Sequence, residues 1–270
     1  MAKPRFEGLG VRVFSAVILA VVSLTLLWWG VLPFFAEVLL LALVGTSEYY
    51  DMAERKGFRP ARRTGTLAAC LLLVGATFVG EVEVSRLLTI IVMSTLIVFV
   101  MRMPRRISTL LDAGVTMLGV LYLGWMFSYL MLLRRLDGGA AWVTLLLVAC
   151  AATDIGAYFV GKFFGRHKLI PTVSPKKTVE GSLGAVLCAV GALWLVGERW
   201  GMAPVHRVAL GLLVAVGGQF GDLWESALKR DAGVKDSGDI IQGHGGVLDR
   251  FDSLAFAAPL FYLYLVSFLL

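Results

Sequence analysis

Between Gln219 and Asp252 the chain gathers seven carboxylates, Asp222, Glu225, Asp231, Asp236, Asp239, Asp249 and Asp252, and four cations, Lys229, Arg230, Lys235 and Arg250. Apolar sequence of the kind that enters membranes flanks the stretch on both sides. Its net charge of −3 runs against a formal +6 for the whole chain, so acid is concentrated here. A cation bound beside a phosphorylated ligand is the simplest use for such a stretch.

Within it, Gln219, Asp222 and Ser226 recur at i, i+3 and i+7, with Glu225 three residues after Asp222, so they share one helical face. Ionisable groups inside a span cost several kcal/mol unless paired or hydrated, which makes them functional candidates. The structural alternative is pairing of Asp222 and Glu225 with Lys229 or Arg230 one or two turns on. Gly217 and Gly221 form a small-xxx-small pair that would let another helix approach beside Asp222. Next comes a glycine-rich run, Gln242 to Gly246, leading into Asp249, Arg250 and Asp252. Glycines and a helix N-terminus can aim several N–H groups at one anion. Asp249 and Asp252, at i and i+3, can face one cation, although acids there also complement a helix dipole. His244 could carry a proton, donate to a phosphate or pack the loop. Upstream, Asp154 lies two turns from the end of an apolar run. The loop after it, stiffened by Pro171 and Pro175, offers Ser174, Lys176, Lys177 and Thr178, hydroxyl and ammonium groups that suit a polyphosphate. The lysines could equally mark topology.

The elements that must position these groups are membrane helices. Apolar residues make up 58% and charged residues 16% of the 270-residue chain, against about half and about a quarter in soluble domains. Mean hydropathy is +0.81. Runs able to cross about 30 Å of hydrocarbon occur near 13–29, 33–50, 66–80, 87–101, 116–133, 140–160, 181–197, 208–228 and 253–270. The expected fold is therefore an all-α polytopic membrane protein of about nine helices. The third and fourth runs are short, and 107–115 could extend the fifth. With the N-terminus in the cytoplasm, Arg86, Arg134, Arg135, Arg199 and Arg207 fall outside and the other twenty of the 25 Lys and Arg fall inside. Trp28, Trp29, Trp142 and Trp200 then mark the outer interface. The first run is too long for a signal peptide and is expected to be retained. Cys70, Cys150 and Cys188 lie inside spans without metal-type spacing and are expected to pack as small apolar residues. The loops around 51–65 and 102–106 are basic and are expected only to hold topology or touch anionic lipid.

The motifs together resemble the signature of phosphatidate cytidylyltransferases, the CDP-diacylglycerol synthases: Ser-x-x-Lys-Arg-x4-Lys-Asp followed by Gly-His-Gly-Gly-x-x-Asp-Arg-x-Asp. Here these are Ser226, Lys229, Arg230, Lys235, Asp236, Gly243, His244, Gly245, Gly246, Asp249, Arg250 and Asp252. Asp154-x-x-Ala157-Tyr158, Ser174-Pro175-x-Lys177-Thr178-x-Glu180-Gly181 and Gln219-x-Gly221-Asp222 resemble further family elements. Gln242 departs from the proline that many members carry there. The detailed match covers 152–252. The resemblance implies that CTP and phosphatidate give CDP-diacylglycerol and pyrophosphate near the cytoplasmic face of a cell membrane. Asp222, Lys229, Arg230, His244, Asp249 and Arg250 are then the expected catalytic groups. Ser174, Lys176, Lys177, Thr178, Lys235, Gly243, Gly245 and Gly246 would hold the nucleotide. Asp154, Asp222, Glu225, Asp249 and Asp252 would bind Mg²⁺, with a second cation such as K⁺ nearby. One membrane domain is expected, with 1–140 as scaffold or dimerisation helices and 141–270 as the catalytic part. A homodimer is expected and no nucleic-acid partner. The competing readings are a CTP-dependent enzyme acting on another lipid, such as an ether lipid or polyprenol, and an ion-coupled transporter. A transporter would favour midplane sites and inverted repeats, which the sequence does not display. A CDP-alcohol phosphatidyltransferase would carry an Asp-Gly-x2-Ala-Arg opening, which is missing.

Overall fold

The computed structural model describes residues 7–102, 110–238 and 246–270. Among these, nine helical rods follow the nine apolar runs: α1 (Glu7–Trp29), α2 (Val31–Arg55), α3 (Arg62–Phe78), α4 (Glu81–Arg102), α5 (Leu110–Arg135), α6 (Gly139–Phe164), α7 (Val179–Gly197), α8 (Pro204–Asp231) and α9 (Leu248–Phe268). Six of them, α2, α4, α5, α6, α7 with its short extension to Trp200, and α9, are long and apolar enough to cross a bilayer. The protein is thus a multi-pass membrane protein. Helices dominate because backbone N–H and C=O groups in hydrocarbon must find partners within their own segment. The fourth rod is longer than its apolar run indicated, and the fifth does begin near 110.

α5 is the most enclosed span, with 67% of its apolar window buried, whereas the more apolar α4 has only 22% buried and turns Ile90, Met93, Ile97 and Val100 outward. Hydropathy alone does not separate the two, since lipid and protein interior are both apolar. α6, α7, α8 and α9 pack closely through glycines. A Cβ on Gly156 of α6 would stand 2.5 Å from the Gly184 carbonyl of α7, so these backbones touch directly.

Three of the five arginines expected outside close helix ends. Arg134 Nε donates to the Leu27 carbonyl of α1 at 3.2 Å, Arg135 Nη1 to Thr77 of α3 at 2.9 Å, and Arg207 Nη1 to Trp194 of α7 at 3.2 Å. Each satisfies a last-turn carbonyl that has no partner within its helix. Trp28 and Trp142 lie near the same end, with Trp28 Nε1 donating to Thr144 at 3.1 Å and Trp142 Nε1 to the Asp137 carbonyl at 3.1 Å.

At the other end, the segment between α6 and α7 is not wholly irregular. β1 (Lys168–Ile170) and β2 (Ser174–Thr178) form an antiparallel ribbon with Lys168 opposite Thr178 and Ile170 opposite Ser174. Glu180, in the first turn of α7, anchors it by accepting from the N–H groups of Arg166 at 3.0 Å and His167 at 3.2 Å. The basic stretch after α2 is also structural. Lys56 reaches Asp231 at the end of α8 at 2.9 Å, Arg62 pairs with Asp51, and the Arg59 N–H donates to the buried Asp112 at 2.7 Å.

Candidate active site

α6, β2, the start of α7 and α8 enclose a cavity of about 420 Å³ whose walls include Asp154, Lys176, Lys177, Thr178, Ser182, Gln219 and Asp222. The ribbon carries the lysines to this wall, and Lys177 Nζ lies 2.7 Å from Asp222 Oδ2. Thr178 is committed to structure as well, since its Oγ1 accepts the Gly181 N–H at 3.1 Å and caps α7. Ser182 Oγ donates to Gln219 Oε1, and Gln219 Nε2 donates to the Ala215 carbonyl at 3.0 Å, which ties α7 to α8 at the cavity floor.

Asp252 enters from α9. It is buried because Gly221 has no side chain: a Cβ there would collide with the Asp252 carbonyl and stand 3.1 Å from the Ser253 Cα. The glycine pair read from sequence therefore fits its use, with Gly217 likewise against Leu260 of α9. Asp252 lies within electrostatic reach of Asp222, Asp154 and Lys177, and Asp154 within reach of Asp222, Lys177 and Arg250. Three helices thus bring three carboxylates to one region, and Lys177 is the ammonium beside them.

A second cluster centres on Lys229. Its Nζ lies 2.6 Å from Glu225 Oε2, one turn earlier on α8, and also bonds Asp249 Oδ1. Glu225 is 1% exposed, and its other oxygen has no partner among the described residues. Asp249 Oδ2 accepts from the Ser237 N–H at 3.0 Å, the Ser237 hydroxyl at 2.9 Å and the Gly246 N–H at 2.9 Å. The chain reaches these positions because α8 stops at Gly233, φ 69°, where the Val234 N–H bonds the Lys229 carbonyl at 2.9 Å and turns the backbone.

Asp249 and Asp252, three residues apart, consequently have different surroundings: Asp249 meets Lys229, and Asp252 lies within electrostatic reach of Asp222, Asp154 and Lys177. Among the described residues no three His, Cys, Asp or Glu side chains stand close enough to hold a metal ion as placed. Lys176, Arg230, Lys235 and Arg250 are exposed and Ser174 half-buried. Gly243, His244 and Gly245 lie outside the described residues, as do Asp239 and Gln242.

Two groups missed by the sequence reading come from the N-terminal helices. Glu48 of α2, 3% exposed, accepts from the Val247 and Leu248 N–H groups at the start of α9. Tyr122 of α5 is buried between Trp224 and Phe256, with its hydroxyl unpartnered among the described residues and Asp252, Glu225, Asp222 and Asp249 within electrostatic reach. It sits in a π-helical turn, Val120–Trp125, inside α5, a distortion often found at functional sites. For Glu48 the available signal was a carboxylate inside a hydropathic run. For Tyr122 the sequence offers none.

Residues 10–268 match the family model described as the Cytidylyltransferase family. The chain belongs to that family. It is 38% identical to a phosphatidate cytidylyltransferase of Synechocystis sp., covering 96% of this chain and 97% of that one. It is 33% identical to a phosphatidate cytidylyltransferase of Bacillus subtilis, over 95% of this chain and 97% of the relative, and 33% identical to one of Staphylococcus aureus, over 95% and 99%. The matches run through the N-terminal helices as well as the motif-bearing half.

Proposed function

We propose that this chain transfers the cytidylyl group of CTP to phosphatidate, giving CDP-diacylglycerol and pyrophosphate. The observation that carries the reading is the cavity of a cytidylyltransferase-family membrane protein in which Lys176 and Lys177 of the ribbon stand beside the carboxylates of membrane helices. A phosphate oxygen of the lipid attacks the α-phosphorus of CTP, and the bond from that phosphorus to the bridging oxygen of pyrophosphate breaks in line. The attacking oxygen is already anionic, so no protein nucleophile or general base is required. The obstacle is the approach of two polyanions, which Lys177, Lys176 and the cations around Lys229 offset by charge.

The residues present fit a hard divalent cation in donor type and charge. Asp154, Asp222 and Asp252 set three carboxylates in one region with the Lys177 ammonium beside Asp222 and Arg250 within electrostatic reach of Asp154. We assign these three to Mg²⁺, which when bound there would screen the phosphates and polarise the α-phosphoryl group. Glu225 and Asp249 hold Lys229, and K⁺ is the candidate for a second cation beside the unpartnered Glu225 oxygen. The site is placed near the cytoplasmic face with the N-terminus inside and all nine rods crossing, because the Lys and Arg distribution favours it and the helix-capping arginines occupy the opposite end. The expected homodimer belongs to the same proposal and is tested by the mass of the purified protein in detergent.

Purified protein incubated with labelled CTP and a panel of lipid phosphates tests the substrate assignment. The expected product is CDP-diacylglycerol, and a labelled product from a different lipid alone would replace the assignment. Lys177→Gln is expected to raise the KM for CTP or lower kcat by about tenfold or more, since it removes a cation from the proposed phosphate site. If only membrane insertion changes, Lys177 is a topology marker. For sidedness, single cysteines near Asp222 and Asp249, placed after replacing Cys70, Cys150 and Cys188, should react with an impermeant thiol reagent from the cytoplasmic side. Equal labelling from both sides would point to a transport path.

A further inference from the structure

The start of α9 has a capping problem. Its N-cap residue is Val247, which has no side-chain oxygen and makes no capping bond, although the first N–H groups of a helix have no partner within it. Glu48 supplies the cap from a helix 199 residues earlier in the chain. Its Oε1 accepts the Val247 N–H at 2.9 Å, and its Oε2 accepts the Leu248 N–H at 2.8 Å. A carboxylate is favoured there by the partial positive charge of a helix N-terminus. Oε2 also accepts from the Ser237 hydroxyl at 3.2 Å, and that hydroxyl lies 2.9 Å from Asp249 Oδ2. One serine proton is thus shared between Glu48 and Asp249.

The surroundings are shaped to this contact. A Cβ on Gly246 would stand 2.6 Å from either Glu48 oxygen, and one on Gly238 would stand 2.5 Å from Glu48 Oε1. The helix carrying Glu48 is itself held on α5. The Tyr49 hydroxyl donates to the Val115 carbonyl at 3.1 Å, and the Tyr50 hydroxyl to Thr116 at 3.0 Å. An isolated carboxylate inside a span would be costly. Three donors converging on Glu48 explain why it is tolerated, and every one of them belongs to the backbone or side chain next to Asp249.

We infer that Glu48 is a positioning residue of the transfer reaction, clamping Ser237 and the first turn of α9 so that Asp249 holds Lys229 at the phosphates. The inference rests on the reading that Asp249 belongs to the reacting centre. The hydrogen bonds that Glu48 makes among the described residues are to Ser237, Val247 and Leu248, so it acts through them. Its effect should therefore appear in kcat more than in KM.

The test compares full-length Glu48→Gln, Glu48→Ala, Ser237→Ala and the double variant Glu48→Gln with Ser237→Ala, purified in detergent, with turnover expressed per folded protein below each melting point. The Gln amide keeps one acceptor for α9 but turns an N–H₂ toward the second backbone donor. A fall in kcat of about tenfold to a hundredfold is expected for Glu48→Gln and a larger one for Glu48→Ala, with KM for CTP and phosphatidate within about threefold. Glu48→Gln and Ser237→Ala should combine to less than the product of their separate effects, because they break one chain of contacts. If Glu48→Ala does not fold, Glu48→Gln and Ser237→Ala decide the matter. A kcat within about threefold of the unmodified protein for Glu48→Gln, or independent multiplication in the double variant, overturns the inference. Asp249→Asn is run in parallel. Full activity there removes the underlying reading of Asp249, whereas an inactive Asp249→Asn beside a fully active Glu48→Gln removes only the role of Glu48.

Discussion

Asp249→Asn should abolish turnover while the protein still folds, a loss of about 10²-fold to 10³-fold or more. The carboxylate makes two kinds of contact at once: Oδ2 accepts two backbone N–H groups and a hydroxyl, and Oδ1 pairs with Lys229. An Asn oxygen can keep the first set. Its amide N–H₂ then faces the Lys229 ammonium, donor against donor, and among the described residues Lys229 keeps its pairing with Glu225. The lost charge-assisted bond costs about 1.5–3 kcal/mol of stability, which a folded multi-span protein can absorb. If Lys229 stands at the phosphates as proposed, the larger effect falls on chemistry, because the variant no longer holds its ammonium in place. Steady-state kinetics over a range of Mg²⁺ concentrations read the result. Loss of turnover at an unchanged Mg²⁺ optimum assigns Asp249 to Lys229, and a shifted optimum assigns it to the metal. Near-normal activity with unchanged Mg²⁺ dependence would falsify both roles.

Gly221→Ala is expected to be strongly damaging, and Gly191→Ala harmless. In an isolated helix, alanine is favoured over glycine by about 0.8–1.0 kcal/mol. At Gly191 of α7 nothing lies within 4 Å of an added Cβ, so that preference should appear as equal or slightly higher thermal stability with full activity. At Gly221 the same methyl meets backbone, the Asp252 carbonyl and the Ser253 Cα, and backbone cannot rotate away as a side chain can. Overpacking typically costs about 1–3 kcal/mol, which outweighs the helix preference. Relief requires α8 and α9 to separate, which carries Asp252 away from Asp222 and Asp154. The melting point in detergent should fall and kcat should drop in the same variant. Equal behaviour of the two alanine variants would mean that the α8–α9 approach does not set the carboxylate cluster.

Much of the architecture was legible in the residues themselves. Each apolar run corresponds to a helical rod, because a backbone in hydrocarbon has few ways to satisfy its hydrogen bonds and composition alone decides among them. The i, i+3 spacing of Gln219 and Asp222 was enough to put both on the cavity wall, and Gly217 and Gly221 announced a close helix crossing. The ribbon at 168–178 was not legible. Its strands are three and five residues long, and its prolines and lysines read equally well as a loop. Nor was the structural use of Lys56, Arg59 and Arg62, since a basic loop that marks topology and one that bonds to neighbouring helices have the same composition.

Within the site, sequence determined the chemical inventory: lysines just after a proline, acids near the ends of three helices, and glycines where two helices meet. Tertiary structure decided which acid meets which cation. Asp249 and Asp252 are three residues apart, yet one pairs with Lys229 while the other lies within electrostatic reach of Asp222 and Asp154, and only the placement of α8 and α6 makes those environments different. The packing also brought Glu48 and Tyr122 to the same end of the bundle. Periodicity reports the face a residue occupies on its own helix. A hydrogen bond between positions 48 and 247 depends on where two helices lie in space, and no local pattern in either helix records it.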